Sequence, residues 1–370
     1  MKPLRALVVD DTIVYRKIIG DVLKEMPGVE VVGVAHNGKI ALSKIATLKP
    51  DLITLDIEMP EMNGIQVLES LQGQTDAPAV IMLSTLTHEG GEMTIKALEL
   101  GAFDFLPKPE GGKMAENLQA VRDALTPIID ALKRKKATSD RIRERIRPGS
   151  TPARPAAMPR RPKSPAPRPA AAPRPRTGKS EIVGIGISTG GPNALTRMIP
   201  MLPADFKAPI LIVQHMPPMF TASLANSLNN KSALEVKEAQ DGDTIRPGQV
   251  LIAPGGKQMK IVAGADGLTR KIKITDDPPE NSCKPSVDYL FRSIAQHYVG
   301  RSTGVIMTGM GNDGSQGLAQ MKQNGGFVIA QDEATCTVFG MPKETIENGI
   351  ADVIAPLDNI AGEIMKTVVS

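Results

Sequence analysis

The chain has 370 residues, of which 23% are charged, and a formal net charge of +4 at neutral pH. This length is enough for two or three domains, and the absence of an apolar run of about 18 residues argues against a membrane-spanning helix. The two cysteines, Cys283 and Cys336, form no CxxC pair, which argues against a disulfide scaffold or a zinc site. No signal peptide is visible, so we expect a cytoplasmic protein.

The positive charge is concentrated in one segment. Residues 133–179 hold sixteen lysines and arginines against two acids, so the remainder of the chain carries about −10. Acidic folded parts argue against a nucleic-acid-binding core. Residues 148–178 contain ten prolines and no acids or aromatics, a composition that cannot bury enough apolar surface to fold. We interpret 133–180 as a basic, Pro-rich linker that is disordered over 148–178; a basic docking arm for an acidic partner is the alternative.

Residues 1–132 alternate between predicted strands and helices. Apolar residues at helical spacing predict a helix over 12–26, and residues 115–147 predict a final helix. The predicted strands are apolar runs at 5–10, 29–35, 51–56, 79–84 and 103–106. Continuous apolar runs are typical of parallel strands covered on both faces, so this region predicts a doubly wound, flavodoxin-like α/β domain.

Polar residues follow four of these strands at their carboxyl ends. Asp10 and Asp11 end the first strand, Asp56 ends the third, Ser84 ends the fourth and Lys108 ends the fifth. These ends meet at one edge of a parallel sheet. Three carboxylates there would repel each other without a hard cation such as Mg²⁺, and a carboxylate between Mg²⁺ and an ammonium group could accept a phosphoryl group.

This region resembles the two-component receiver family over residues 3–125. The resemblance is carried by the Asp10-Asp11 pair, the segment 55–64 (LDIEMPEMNG) and the Lys108-Pro109 step. It implies that Asp56 is the phosphoacceptor, that Mg²⁺ is held by the three aspartates, and that Lys108 contacts the phosphoryl group.

The receiver resemblance also implies a conformational switch. Its switch pair would be Ser84 and Phe105, the serine hydroxyl binding phosphoryl oxygens and drawing its loop inward. The backbone of Glu58 is expected to complete the metal shell. A receptor-coupled histidine kinase would be the phosphodonor.

Residues 181–370 show a second α/β pattern. Predicted strands lie at 182–187, 210–214, 249–253, 260–262, 271–274, 304–308 and 327–330. Predicted helices lie at 193–201, 220–228, 286–299, 315–324 and 358–368. The middle, around 234–275, is expected to be a small antiparallel β insertion. The fold prediction is therefore two doubly wound parallel-sheet domains joined by the linker.

Ser188 is the candidate nucleophile of the second domain. It follows an apolar strand and lies in the G-x-S-x-G segment 186–190, which permits a sharp strand-to-helix turn. The helix N-terminus offers N–H groups for a developing oxyanion. A dinucleotide-binding turn is the alternative, but it requires an acidic residue after the next strand, and His215 stands there.

A serine nucleophile needs a base, and the base needs an orienting partner. His215 follows a neighbouring strand and could act as base at neutral pH. Asp313 lies in the glycine-rich loop 308–314 after an apolar strand, where its carboxylate could reach the imidazole. Asp332 and Glu333, which follow another strand, are the competing candidates.

The second domain resembles the protein-glutamate methylesterase family of bacterial chemotaxis over residues 181–368. The matching segments are 184–192 (GIGISTGGP), 214–217 (QHMP), 254–256 (PGG), 286–288 (SVD) and 308–314 (TGMGNDG). The resemblance implies a triad of Ser188, His215 and Asp313, and an oxyanion donor in the Met310 amide.

The two resemblances together imply a phosphorylation-activated serine hydrolase. It would remove methyl esters from glutamyl side chains of methyl-accepting chemotaxis receptors, releasing methanol, and would deamidate receptor glutamines. Mg²⁺ would serve the receiver, and the esterase would need no cofactor. We expect a monomer recruited to receptor arrays, without nucleic acid or membrane insertion, inhibited by its unphosphorylated receiver. The long linker lowers the effective concentration of the receiver and weakens that inhibition.

Three other functions are open from the residues alone. They are a regulator with a nucleic-acid-binding output domain, a nucleotide-dependent oxidoreductase, and an inactive scaffold with the same fold. Loss of activity in Ser188→Ala would exclude the scaffold, and a melting shift with NAD(P) would favour the oxidoreductase.

Overall fold

The structure is a computed structural model that describes residues 2–74, 76–109, 111, 113–146 and 174–368. These residues form two α/β domains, each built on a parallel sheet, together with a small antiparallel hairpin, so the predicted fold class is confirmed. Most of the predicted linker, residues 147–173, lies outside the described residues. None of the described helices is both long and apolar enough to cross a membrane.

The first domain has a five-stranded parallel sheet in the order β2-β1-β3-β4-β5. The strands are β1 (Leu4–Val9), β2 (Val29–Ala35), β3 (Leu52–Asp56), β4 (Ala79–Ser84) and β5 (Asp104–Pro107). The helices are α1 (Ile13–Glu25), α2 (Gly38–Leu48), α3 (Gly64–Leu71), α4 (His88–Glu99) and α5 (Met114–Ile146). Strand order reverses between β1 and β3, which opens a crevice at their carboxyl ends.

The second domain has a seven-stranded parallel sheet in the order β14-β13-β12-β6-β7-β9-β8. Its strands are β6 (Ile182–Ile187), β7 (Ile210–Gln214), β8 (Glu235–Glu238), β9 (Gln249–Ile252), β12 (Ser302–Ile306), β13 (Phe327–Gln331) and β14 (Val353–Ala355). The antiparallel hairpin is β10 (Gln258–Ala263) with β11 (Arg270–Thr275). Strand order reverses between β6 and β12, which again places a crevice at the carboxyl ends.

Helices cover both faces of the second sheet. They are α6 (Gly191–Met198), α7 (Phe220–Lys231), α8 (Val287–His297), α9 (Ser315–Gln323), α10 (Met341–Glu347) and α11 (Leu357–Thr367), with a 3₁₀ turn at Ile199–Met201. Buried residues of adjacent strand positions divide between two apolar clusters; Val183 belongs to one and Ile182 to the other. The central strands are therefore buried on both faces, as their continuous apolar sequences predict.

The prediction of antiparallel structure throughout 234–275 is wrong in part. Strands β8 and β9 join the main sheet in parallel, and the antiparallel pairing is confined to β10 and β11. The sequence analysis also missed β8, β14 and α10. β8 is an edge strand in which one residue, Val236, is fully buried, so its apolar signal is weak.

The two domains pack against each other through α4 of the first and α6 and α7 of the second, and Phe105 of β5 stacks on Phe220 of α7. Lys231 lies 2.5 Å from Glu99, and Asn193 Nδ2 donates to the carbonyl of Ala102 at 3.1 Å. One apolar cluster runs through both domains and contains Ile95 as well as Phe220. The domain contact is therefore apolar at its centre, with polar contacts beside it.

Candidate active site and phosphoacceptor site

A buried ion cluster occupies the crevice of the first domain. Asp10 follows β1, Asp56 is the last residue of β3, and Lys108 follows β5. The Lys108 ammonium lies 2.9 Å from Asp10 Oδ2 and 2.8 Å from Asp56 Oδ2, and all three side chains are buried. One lysine thus faces two carboxylates, which leaves excess negative charge in a place that water reaches poorly.

That excess charge fits a hard divalent cation. Oxygen atoms of Asp10, Asp11 and Asp56 lie within 4.8 Å of one another, and oxygen-only ligands are the set that Mg²⁺ prefers. Burial raises the pKa of Asp56 to about 6, although the bond from Lys108 acts in the opposite direction. Glu58 lines the same pocket. The residues present therefore fit Mg²⁺.

The two predicted switch residues lie on the paired strands β4 and β5 and make different contacts. Ser84 is buried at the end of β4, where its hydroxyl donates to the carbonyl of Gly90 at 3.1 Å. The ring of Phe105 stacks on Phe220 of the second domain, with centroids 5.0 Å apart and planes inclined by 18°. Phe105 is therefore part of the domain contact.

Ser188 lies on a tight turn between β6 and α6. Its amide donates to the carbonyl of Thr308 at 2.9 Å, and its carbonyl accepts from the amide of Gly191 at 2.8 Å. Gly190 has a φ of 74°, and a Cβ there would lie 2.3 Å from Thr337 Oγ1. The turn therefore requires glycine at this position, which explains the second glycine of the G-x-S-x-G segment.

His215 and Asp313 form a direct contact beside this turn. His215 Nε2 lies 2.8 Å from Asp313 Oδ2, and the His215 amide donates to the carbonyl of Ile187 at 3.1 Å. Asp332 instead accepts from the amide and hydroxyl of Thr335. Of the two strand-end loops considered for the orienting carboxylate, the 308–314 loop supplies the partner of the imidazole.

The Asp313 carboxylate is surrounded by donors. It accepts from the amides of Val287 at 2.7 Å and Asp288 at 3.1 Å, the hydroxyl of Ser286 at 2.8 Å and the amide nitrogen of Asn281 at 3.0 Å. All four donors come from the loop before α8 and its first turn. The carboxylate is therefore held in one orientation as an anion.

Electrostatics at this pair favour an ion pair. Burial alone would raise the pKa of Asp313, but the His215 bond and the backbone donors lower it to about 2. Burial alone would lower the pKa of His215, but Asp313 and Cys283 raise it to about 9. An imidazole with this pKa is a strong base once it has lost its proton.

Ser188 lies near His215, but the two side chains are not hydrogen-bonded to each other. Within the described ranges, Ser188 Oγ forms no hydrogen bond with His215, whose Nδ1 faces Cys283 Sγ at 3.7 Å. The 308–314 loop closes over the serine, since a Cβ on Gly309 would lie 2.8 Å from Ser188 Cβ. Met310 is half exposed, and its amide is not bonded to any described residue.

Sequence reasoning gave no structural role to several residues that support the site. Gln214 donates to the carbonyls of both Ser188 and His215 at 3.0 and 3.1 Å. Asn281 carried no recognisable signal, because it is 32 residues from Asp313 in the chain. Ser286 had one, since a serine that directly precedes an apolar helical pattern is a typical N-cap.

The domain contact reaches the turn that carries Ser188 and the helix that follows His215. The amide of Gly190, two residues after Ser188, faces the buried carboxyl of Asp104 on β5 and acts to lower its pKa, which burial raises to about 7. Phe220, which stacks on Phe105, begins the helix that follows His215. The first domain therefore contacts both catalytic segments of the second.

Family models match both domains. The receiver domain model of response regulators matches residues 6–122, and the CheB methylesterase model matches residues 183–364. The crystal structure of the CheB methylesterase catalytic domain of Thermotoga maritima is 45% identical and superposes with a TM-score of 0.50, covering 52% of this chain and 100% of that one.

Relatives match over the full length. The protein-glutamate methylesterase/protein-glutamine glutaminase of Desulfotalea psychrophila is 56% identical over 100% of this chain and 99% of its own. The protein of the same name from Bacillus subtilis is 43% identical over 99% of this chain and 98% of its own. The chain therefore belongs to the family of protein-glutamate methylesterases/protein-glutamine glutaminases that carry a response regulator receiver domain.

Proposed function

We propose that this chain hydrolyses glutamyl methyl esters on methyl-accepting chemotaxis receptors, deamidates receptor glutamines, and is controlled by phosphorylation at Asp56. The observation that carries the chemical part is the 2.8 Å contact between His215 and Asp313 beside the Ser188 turn. The two reactions are inferred from the names of the relatives, which specify protein-glutamate methylesterase and protein-glutamine glutaminase; the receptor as substrate follows from the resemblance to the methylesterases of bacterial chemotaxis.

The reaction is acyl transfer through Ser188. The Ser188 oxygen attacks the ester carbonyl while its proton passes to His215 Nδ1, the nitrogen that Asp313 leaves free. The Met310 amide donates to the oxyanion. His215 then returns the proton to the departing methoxide, and methanol leaves. Water hydrolyses the glutamyl-enzyme by the same route, and in deamidation ammonia is the leaving group.

Asp313 positions the base throughout this cycle. Its four donors keep it anionic, so it holds the Nε2–H tautomer and stabilises the imidazolium that forms in each half-reaction. Because the turn of Ser188 is braced by Thr308 and Gln214, a small movement of loop 308–314 or of α6 is enough to change the reaction rate.

Control comes from the receiver domain. Asp56 accepts the phosphoryl group from a receptor-coupled histidine kinase. Asp10, Asp11 and Asp56 would hold Mg²⁺, which would supply positive charge to neutralise the phosphoryl oxygens. Lys108 then binds a phosphoryl oxygen and leaves Asp10. Ser84 exchanges its bond with Gly90 for one with the phosphoryl group. The loop movement displaces Phe105 from Phe220 and frees the catalytic segments.

Methanol release from methylated receptor membranes tests the chemical part. We expect the rate of Ser188→Ala to fall to that of the uncatalysed reaction. Ser43→Ala, at an exposed position of α2 in the receiver, should keep the wild-type rate. Wild-type-like release by Ser188→Ala would overturn the assignment of the nucleophile. The monomeric state and the recruitment to receptor arrays remain predictions.

A further inference from the structure

A thiol lies beside the catalytic histidine. Cys283 closes a tight turn in which Glu280 and Cys283 exchange backbone hydrogen bonds of 3.1 and 2.8 Å. The turn is tied to the triad carboxylate, because Asn281 within it donates to Asp313 at 3.0 Å. Cys283 is only partly buried. The thiol is therefore fixed in place near His215 and open to solvent.

The spacing between thiol and imidazole matches two ligands of one zinc ion. Cys283 Sγ lies 3.7 Å from His215 Nδ1. Zinc binds sulfur at about 2.3 Å and nitrogen at about 2.0–2.1 Å, so a tetrahedral angle places the two atoms about 3.5–3.6 Å apart. His215 Nε2 is bonded to Asp313, so Nδ1 is the nitrogen that faces the sulfur, and its lone pair points there once the imidazole is neutral.

We propose that Cys283 Sγ and His215 Nδ1 bind Zn²⁺ and that the bound ion inhibits the esterase. The Cys283 thiol and the Nδ1–H of the His215 imidazolium each release a proton to solvent as sulfur and nitrogen coordinate, and water completes the tetrahedron. Asp313 remains on Nε2, the carboxylate–histidine–zinc arrangement found at many zinc sites. Inhibition rests on the proposed function, because Zn²⁺ then occupies the lone pair that would accept the Ser188 proton; binding does not rest on it.

The site differs chemically from the cation site of the receiver. Asp10, Asp11 and Asp56 offer only carboxylate oxygens, whereas the proposed site offers sulfur and nitrogen. Thiolate and imidazole select Zn²⁺, and carboxylates suit Mg²⁺. The spacing of cysteines along the chain predicts no zinc site, because the partner of Cys283 is a histidine 68 residues away that the fold brings beside it.

Cobalt absorbance tests the binding directly. Co²⁺ added to the full-length protein in excess Mg²⁺ should give a thiolate-to-cobalt charge-transfer band that Zn²⁺ removes. The band should vanish in Cys283→Ser and persist in Cys336→Ser, a matched control in which burial raises the pKa of the thiol to about 12. Absence of the band in the wild type, or its persistence in Cys283→Ser, would overturn the proposal.

Inhibition is tested on methanol release, with each variant compared to its own zinc-free rate. The zinc concentration that halves the rate should be at least tenfold higher for Cys283→Ser than for the wild type and Cys336→Ser. Equal sensitivity of all three proteins would refute inhibition through Cys283. If no variant released methanol, the proposed function would fail, but the cobalt band would still decide whether the metal site exists.

Discussion

Each domain buries an aspartate at an equivalent place in its fold, but the surroundings shift the pKa values of the two carboxyl groups in opposite directions. Asp56 and Asp313 both lie at carboxyl ends of strands beside a point where strand order reverses. Burial raises the pKa of Asp56 to about 6, whereas donors that outweigh burial lower the pKa of Asp313 to about 2. The two aspartates share an equivalent position in the sheet, but the residues around them differ.

The neighbours explain what each carboxylate can do. The Asp313 carboxylate accepts hydrogen bonds from two backbone amides, a hydroxyl, a side-chain amide and the imidazole. These bonds keep it ionised and fix its orientation. Asp56 has Lys108 and two further aspartates around it, so its charge is poorly compensated until a cation binds. The first environment suits a permanent positioning group, and the second suits a group that gains and loses a phosphoryl group.

Removing the charge of Asp313 should give the largest effect. Asp313→Asn keeps the size of the side chain but cannot hold the imidazolium, so we expect kcat for methanol release to fall by about 10³- to 10⁴-fold. Asp332→Asn, in the neighbouring loop, should stay within a few-fold of wild type. Comparable losses in both variants would contradict the choice of Asp313.

The pH dependence of kcat/KM should reveal the raised pKa of His215. The base must be neutral, so the rate should rise with pH and reach its midpoint above the ordinary 6.5, towards about 9. In Asp313→Asn the midpoint should fall, because burial alone lowers the pKa of the imidazole. Uncatalysed ester hydrolysis is subtracted at each pH. A wild-type midpoint at or below 6.5 would show that the two groups do not form this pair in solution.

Weakening the domain contact should raise basal activity. Phe105→Ala removes the ring that stacks on Phe220, so we expect unphosphorylated activity to increase by roughly 3- to 10-fold, equivalent to about 1 kcal/mol of contact energy. Phe103→Ala serves as the control, because Phe103 packs in the other apolar cluster of the receiver. An unchanged basal rate in Phe105→Ala would exclude this stacking contact as part of the inhibition.

The smallest effect concerns the cation. At pH 7, Mg²⁺ should raise the melting temperature of the receiver transition by a few degrees, because it binds the folded state and offsets carboxylate repulsion. Asp56→Asn should lose most of this shift, and Asp123→Asn, on an exposed helical position, should keep it. A full shift in Asp56→Asn would place the ion elsewhere.

The sequence was most informative where the signal is local. Apolar runs such as residues 182–187 predict buried parallel strands, and G-x-S-x-G places Ser188 on a turn. It was least informative about which strands pair, so β8 was missed and β9 was wrongly placed in an antiparallel region. Strand β14 has three residues, too few to show periodicity.

The supporting parts of the site depend on contacts distant in sequence. Asn281 and Ser286 meet Asp313 only because α8 packs beside β6 and β12. Cys283 gains its proximity to His215 in the same way. Such contacts follow from the completed topology, and no pattern along the chain indicates which residues they bring together.

In the proposed mechanism, phosphorylation of Asp56 controls the chemistry at Ser188. The most direct test is the rate of methanol release by full-length protein with and without a small-molecule phosphodonor and Mg²⁺, in the wild type and in Asp56→Asn. We predict that the phosphodonor accelerates the wild type several-fold and leaves Asp56→Asn at its own basal rate. Equal acceleration of both proteins, or no acceleration of a wild type shown to be phosphorylated, would contradict control of the esterase by Asp56.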